Sequence, residues 1–342
     1  MTTTTPDDPA RPFQILSLSG GGYLGLYSIS VLAAFEDRIG EPIHSCFDLI
    51  AGTSVGGIVA LGLAAGISAA TIRETFRLKG TSIFSSRGAP QSRLGVALDI
   101  VRSILGPKYH DAELRKVLVD LVGEDRAIRD LLKPVLIPAV NLTKGGPQVF
   151  KTPHHPDFHR DRSLKVADVG LATSAAPTFF PIAEIGSSLY ADGGLFANAP
   201  DQMAVHEAEH FLGIARPRIR VLSIGTTTSS FSFSHSTSRR LGLFGWARNQ
   251  RLIHVMLASQ QKMTQHMLEH SLGERYTRID VTQSAEQQGD LRLDVANDAA
   301  QRTLIGLADA SAQRAVNDPR VRAMLSHRAP PTRFVDAEPD RE

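Results

Sequence analysis

Cysteine is nearly missing from this chain: Cys46 is the one thiol in 342 residues. That excludes an internal disulfide and fits a reducing compartment. Charge of one sign is lacking too. The 37 Lys and Arg residues against 35 Asp and Glu leave a net charge of +2, too little to suggest a nucleic-acid polymer as partner. No hydrophobic run is long enough to span a bilayer; the longest, around Ile58 to Ile67, is short and glycine-rich. The first residues, Met1 to Pro9, are polar and acidic, without the basic start and apolar stretch of a signal peptide. No repeat of fixed period is visible. What remains is an ordinary globular composition, 42% hydrophobic and 21% charged, with length for one large or two modest domains. The expectation is a cytoplasmic protein able to act peripherally at the inner membrane.

The residue patterns alternate between strands and helices. A buried strand, Phe13–Ser19, stops at Gly20-Gly21-Gly22 and leads into a helix from Leu24 to Arg38. A second strand, Phe47–Ala51, is followed by helical segments Gly56–Ala65 and Ser68–Leu78, the latter capped by Ser68. The pattern loosens from Lys79 to Lys108, with a helix near Val96–Leu105, and Asp111 is placed to cap a helix over Ala112–Val122. Strands are expected at Pro134–Leu142, Gln148–Lys151, Ser188–Ala191, Arg218–Ile224 and Tyr276–Val281. Helices are expected at Lys165–Ala176, Asp201–Leu212 and Gln250–Ser271, followed by two short C-terminal ones. This alternation predicts an α/β layered fold with a mainly parallel central sheet. Residues 1–12 read as a disordered leader and 13–328 as a single domain, with core motifs over 13–225 and a helical part over 250–328. Residues 329–342 read as a flexible tail.

Three motifs carry the chemistry. Gly52-Thr53-Ser54-Val55-Gly56 ends one strand and opens a helix, the pattern of a nucleophile elbow. Its glycines permit a sharp turn that presents the Ser54 hydroxyl at a helix N-terminus, where negative charge is favoured. The run Gly20-Gly21-Gly22-Tyr23-Leu24-Gly25 satisfies a dinucleotide-binding spacing, but that reading wants an acidic residue where the second strand instead ends in the serine elbow, so a tight structural turn is the stronger of the two. Its third reading is an oxyanion hole made of backbone N–H groups from Gly20, Gly21 and Gly22. Asp192-Gly193-Gly194 is either a plain turn or a carboxylate given room by its glycines to reach Ser54 and accept its proton.

Ser19-Gly-Gly-Gly-Tyr-Leu-Gly25, Gly52-Thr-Ser-Val-Gly56 and Asp192-Gly-Gly194 occur in the order and approximate spacing of patatin-like phospholipases, which this chain resembles over roughly Phe13 to Gly225. Ala172-Thr-Ser-Ala-Ala-Pro-Thr-Phe-Phe-Pro181 also resembles that family's stretch before its aspartate. The resemblance implies a three-layer α/β fold and a metal-independent Ser54–Asp192 dyad that cleaves fatty-acyl esters of membrane phospholipids. It also implies oxyanion donors at Gly20, Gly21 and Gly22, with Gly25, Gly52, Gly56, Gly193 and Gly194 as motif glycines. The phrasing around Gly20–Tyr27 and Phe47–Ser54 is similar to bacterial phospholipase effectors of anti-phage signalling. That likeness implies a cyclic di- or trinucleotide activator, for which Lys79–Lys108 and Thr226–Arg251 supply basic residues in polar surroundings. Further copies of the chain are a partner left open. One departure stands out: Leu24 occupies the position where the family's glycine loop usually carries Arg.

Other constellations compete. His206-Glu207-Ala208-Glu209-His210 fits H-E-x-x-H on a predicted helix, which points to a zinc peptidase with Glu207 as base. A third ligand would have to come from His235 or Glu269, and the plainer reading is a polar surface helix. His206 or His210 could also complete a Ser-His-Asp triad. His154, His155 and His159 form a loose cluster. A chain that keeps the fold as a catalytically silent binding module is the remaining alternative. Leu252, Ile253, Val255, Met256, Met263, Met267 and Leu268 mark an apolar stripe, read first as core packing. Phe231, Phe233, Leu241, Leu243, Phe244 and Trp246, with Arg239, Arg240 and Arg248 among them, suggest a lid or interfacial surface.

Overall fold

The computed structural model describes residues 11–84, 106–227, 242, 245–246 and 251–335. At the centre of an eight-stranded sheet lies β1 (Phe13–Leu18), flanked in parallel by β2 (Leu49–Gly52) and β7 (Ile219–Ile224). β3 (Val135–Asn141) runs parallel to β2, and β8 (Tyr276–Ile279) runs parallel to β7. Beyond β3 the direction reverses: β4 (Gly146–Lys151) and β6 (Ser188–Asp192) pair antiparallel with it, and β5 (Ala183–Ile185) pairs antiparallel with β6.

The two flanks of β3 differ. β4 pairs with it from Leu136 to Asn141. On the opposite flank β2 reaches only Val135 and Leu136, whereas β6 pairs with Ala139, Val140 and Asn141. Two strands therefore arrive from opposite directions along one flank and stop on either side of Pro138. β2 ends just before Ser54, and β6 ends at Asp192, opposite Ala139. Strand register alone thus brings the two motif residues to one place.

The helices are α1 (Gly25–Ile39), α2 (Val55–Ala64), α3 (Ala69–Ile83), α4 (Asp111–Val122), α5 (Val166–Ser174), α6 (Gly194–Ala197), α7 (Asp201–His206), α8 (Arg251–Leu272), α9 (Gln287–Asp290), α10 (Asp298–Ala315) and α11 (Pro319–Ser326). Strand side chains alternate between two apolar clusters, as a sheet covered on both faces requires. Leu16, Leu18, Ile50 and Leu222 join the helical layer that includes α1, α2 and α10. Ile15, Leu49, Ala51 and Val221 face Ala204 and Val205 of α7 and Leu268 and Leu272 of α8. The fold is the expected three-layer α/β arrangement with a mainly parallel sheet.

Several elements differ from the sequence reading. α3 continues to Ile83, past Leu78, with Gly80 inside it because a Cβ there would meet the Tyr23 ring. Asp111 opens its helix, and His110 holds the cap position. Residues 201–212 are not one regular helix, since α7 ends at His206 and a π-helical turn, Glu207–Phe211, follows. α10 is a long helix of 18 residues rather than a short one, burying Ala300, Leu304, Ala308 and Ala312. The helix expected near Val96–Leu105 lies outside the described residues.

One buried ion ties the second helical layer to the sheet. Asp201 is fully buried and accepts hydrogen bonds from Ser17 Oγ at 2.5 Å, Ser223 Oγ at 2.7 Å and Tyr276 Oη at 2.7 Å. These donors belong to β1, β7 and β8. Asp201→Ala would orphan all of them, and the expected loss of unfolding free energy in urea titration is about 3 kcal/mol or more. A loss under about 1 kcal/mol, the net value of one ordinary hydrogen bond, would contradict this role.

Candidate active site

Ser54 sits at the tip of the turn between β2 and α2 with φ 54° and ψ −127°. A non-glycine residue held there stores roughly 1–3 kcal/mol of backbone strain, the signature of an elbow. The turn is this tight because its glycines leave no side chain in the way. A Cβ on Gly52 would meet the Gly56 carbonyl, and one on Gly56 would meet the Leu18 carbonyl. Thr53 straps the turn from below, its Oγ1 donating to the Ala197 carbonyl at 2.6 Å.

Asp192 lies at the end of β6, 6% exposed, and lines the same cavity as Ser54. Its Oδ1 also accepts the Gly194 amide at 2.6 Å. Burial pushes the Asp192 carboxyl up to about 6, against the opposing pull of the Gly194 amide and the Ser54 hydroxyl. A carboxylate in that range is a stronger proton acceptor than a solvated one and is still ionised at neutral pH.

Thr173, at the end of α5, joins the two halves. Its Oγ1 accepts the Ser54 amide at 3.1 Å and donates to the Pro138 carbonyl at 2.6 Å. Its own carbonyl accepts the Gly193 amide at 3.3 Å, and the neighbouring Ala175 carbonyl accepts the Asp192 amide at 2.9 Å. The quoted stretch Ala172–Pro181 contains this residue, so a signal for it was present; its role as a clamp was not legible.

The glycine loop lies across from the elbow, and Gly21 and Gly22 line the same cavity as Ser54 and Asp192. Gly22 has φ +55°, and a Cβ on it would strike the Leu293 carbonyl. The expected trio of oxyanion donors needs one correction: the Gly20 amide is already committed to the Asn198 carbonyl at 2.9 Å. Among the described residues, the amides of Gly21 and Gly22 have no protein acceptor. Gly25 packs α1 onto α2, where a Cβ would meet Val55. Gly193 sits against the Pro138 carbonyl, and Gly194 supplies its amide to Asp192. Leu24 is 6% exposed, part of the apolar core rather than a charge beside the loop.

Asn198, which no motif announced, is the anchor of this region. Its amide donates to Gln260 Oε1 at 3.2 Å, and Gln260 Nε2 donates to the Leu195 carbonyl at 3.0 Å. α8 is thereby bolted over the site. Leu252, Ile253, Met256 and Leu257 from its first turns complete an apolar cavity of about 310 Å³. Phe76, Phe84 and Phe180 line it as well. The apolar stripe expected to pack on the core is thus divided: its start walls the cavity, Leu268 enters the core, and Met263 and Met267 are exposed.

The competing constellations separate from this site. Glu207 is buried and bonded to Lys151 Nζ at 2.6 Å and His154 Nε2 at 3.1 Å. His206 and His210 stack on each other on the exposed side and do not line the cavity. Glu207 thus turns inward while both histidines are exposed, and among the described residues no group of three or more His, Cys, Asp or Glu side chains could hold a metal ion. Of the loose cluster, His154 serves Glu207, and His155 packs on Phe158 and Phe211. His235, Phe231, Phe233, Leu241, Leu243 and Phe244 lie outside the described residues.

The sequence profile of the patatin-like phospholipase family matches residues 16–205. A cGAMP-activated phospholipase of Pseudomonas aeruginosa is 40% identical over 319 residues, covering 93% of this chain and 93% of its own. Another, from Vibrio cholerae, is 38% identical over 329 residues, covering 89% of this chain and 91% of its own. A third, from Escherichia coli, is 34% identical over 313 residues, covering 85% and 86%. With the serine elbow, the aspartate and the glycine loop gathered at one cavity, this chain belongs to the patatin-like phospholipases and is a lipid acyl hydrolase.

Proposed function

We propose that this chain hydrolyses fatty-acyl esters of membrane phospholipids with Ser54 as nucleophile and Asp192 as base, and that a cyclic oligonucleotide switches it on in antiviral defence. The observation that carries the chemistry is the strained Ser54 elbow and the buried Asp192 carboxyl lining one apolar cavity with the Gly21 and Gly22 amides. Asp192 takes the hydroxyl proton as Ser54 attacks the ester carbonyl. The Gly21 and Gly22 amides meet the oxyanion, and collapse expels the lysolipid alcohol, protonated by Asp192. Asp192 then activates water to release the fatty acid from acyl-Ser54. None of these steps calls for a metal.

The apolar cavity suits a fatty-acyl chain, and two residues lining it face solvent, Leu195 at 36% and Leu252 at 51% exposure. They support a peripheral docking face through which a lipid tail enters. No helix among the described residues is long and apolar enough to cross a membrane. The activator is carried over from the cGAMP-activated relatives, whose similarity covers most of this chain. The Lys79–Lys108 and Thr226–Arg251 segments, earlier weighed for it, fall largely outside the described residues.

Ser54→Ala should lower fatty-acid release from phospholipid vesicles by about 10³-fold or more while leaving the melting temperature near wild type. Undiminished release by that variant would remove Ser54 from the mechanism. Because only ionised Asp192 accepts the proton, kcat/KM should rise with pH and level off above about 6. A profile that is flat from pH 4 to 8, on the order of the range in which free carboxyls and histidine titrate, would exclude Asp192 as the base.

Stability should move the other way. The folded pKa of about 6 lies above the model value of 3.8, so burial favours the protonated carboxyl. Its stabilising contribution is present below pH 3.8 and is lost as pH rises through about 6. At neutral pH the ionised Asp192 therefore costs about 3 kcal/mol. Asp192→Asn should raise the melting temperature at pH 7 and lose that advantage at about pH 4 and below. Equal gains at both pH values would show that desolvation of the ion is not the cause.

A further inference from the structure

Asn198 follows α6 and is only 4% exposed, yet it lines two cavities at once. Its backbone is committed on both sides: the carbonyl holds the Gly20 amide, and the amide donates to Gln260 Oε1. Its Nδ2 turns toward the Gly20 carbonyl at 3.5 Å. Oδ1 accepts no hydrogen bond among the described residues, and it is not sealed in the interior as the Ser174 hydroxyl is. It is an acceptor open to the space it borders.

The glycines around it locate that oxygen. A Cβ on Gly194 would lie 3.0 Å from Asp192 Oδ1 and 3.2 Å from Asn198 Oδ1. A Cβ on Gly20 would lie 2.5 Å from Asn198 Oδ1 and 3.2 Å from the Ser54 Cβ. The two acceptor oxygens are therefore at most about 6 Å apart, beside Ser54, a span that one water donating to both can bridge.

The second cavity that Asn198 lines is a crevice of about 50 Å³ next to the glycine loop. It shares Gly21, Leu257, Leu293 and Asn198 with the acyl cavity, and Asn198 is the one polar side chain in that common wall. Thr226, Thr227, His254, Gln261 and Gln283 also line it, so its walls are far more polar than those of the acyl cavity. Its volume admits water, and its side chains offer the several polar partners that an ordered water needs.

Resting on the acyl-Ser54 reading above, we infer that Asn198 Oδ1 and the Asp192 carboxylate together hold the water that hydrolyses acyl-Ser54, and that this water arrives along the crevice. An acyl chain fills the apolar cavity while its mouth lies against lipid, so the polar approach to Ser54 is the one past Asn198. The water donates one hydrogen to Asp192 and the other to Asn198, which aims an oxygen lone pair at the acyl carbon. As the new C–O bond forms, Asp192 takes the first proton. The tetrahedral intermediate then expels Ser54 Oγ, which receives that proton from Asp192, and the fatty acid departs. Asn198 gains and loses no proton. An alcohol has a single hydroxyl hydrogen, which Asp192 claims, so the Asn198 bond favours water over an alcohol as acceptor of the acyl group.

The test is the partition of the acyl group between water and added 1-butanol. It is read as free fatty acid against butyl ester from phosphatidylglycerol vesicles, with and without cyclic GMP–AMP. The ratio reports only on the step after acylation, so a general loss of activity leaves it unmoved. Asn198→Ala keeps both backbone bonds and leaves the Gly20 carbonyl to Thr226 Oγ1 at 3.0 Å. It should raise the ester-to-acid ratio about tenfold. Ala258→Leu narrows the crevice at a residue that does not line the acyl cavity, and should raise the ratio about threefold or more. Melting curves check that both variants fold. An unchanged ratio in Asn198→Ala, with butyl ester formed by wild type, would overturn the water site and leave the Ser54–Asp192 dyad standing. An unchanged ratio in Ala258→Leu alone would overturn the crevice as the route. Wild type that yields fatty acid but no butyl ester, and no acyl group on Ser54 after acid quench, would overturn acyl-Ser54 and this inference together.

Discussion

The clamp around Pro138 is the constraint on which the rest of the site depends. β2 and β6 approach each other along one flank of β3 and leave Pro138 between them without a ladder partner on that side. Its carbonyl is taken by Thr173 Oγ1, which in turn receives the Ser54 amide. The same helix end holds the backbone of Asp192 and Gly193 through the carbonyls of Ala175 and Thr173. One threonine hydroxyl and two carbonyls thus tie Ser54 and Asp192 to one strand. The strain at Ser54 persists because these bonds over-determine it.

Burial then sets the chemistry. Asp192 is 6% exposed, and no histidine among the described residues lines its cavity; the two influences opposing its burial are the Gly194 amide and Ser54 itself. Desolvation raises an aspartate above its value in water, into the range where a carboxylate accepts a proton more readily. The surrounding cavity is apolar because α8 lies over it, and α8 stays there through Gln260. The wall that makes the cavity hospitable to an acyl chain is therefore the wall that removes water from the dyad.

Asp201 and Arg278 share Ser223 as a hydrogen-bonding partner, so the buried polar groups under β1, β7 and β8 form one linked set. Such a set is sensitive to the loss of any member, because each group depends on a neighbour for satisfaction in a low-dielectric interior.

Much was legible in the sequence. Gly52–Gly56, Gly20–Gly25 and Asp192–Gly194 are local patterns: their glycines are required by turns that the chain makes within a few residues, so spacing reveals them. Strand and helix alternation follows from side-chain periodicity, which is also local. Tertiary structure alone decided the rest. The His206–His210 motif looked like a metal site until Glu207 was found paired with Lys151 and His154 in the interior, with no group of three metal-ligating side chains among the described residues. Gly20 looked equivalent to Gly21 and Gly22 until Asn198, far along the chain, claimed its amide. Thr173, Gln260 and Arg278 had no motif, because their partners lie on other elements and their importance exists only when the sheet register brings those elements together. The chain's own short-range geometry specified the reactive groups, and long-range register determined which of them meet.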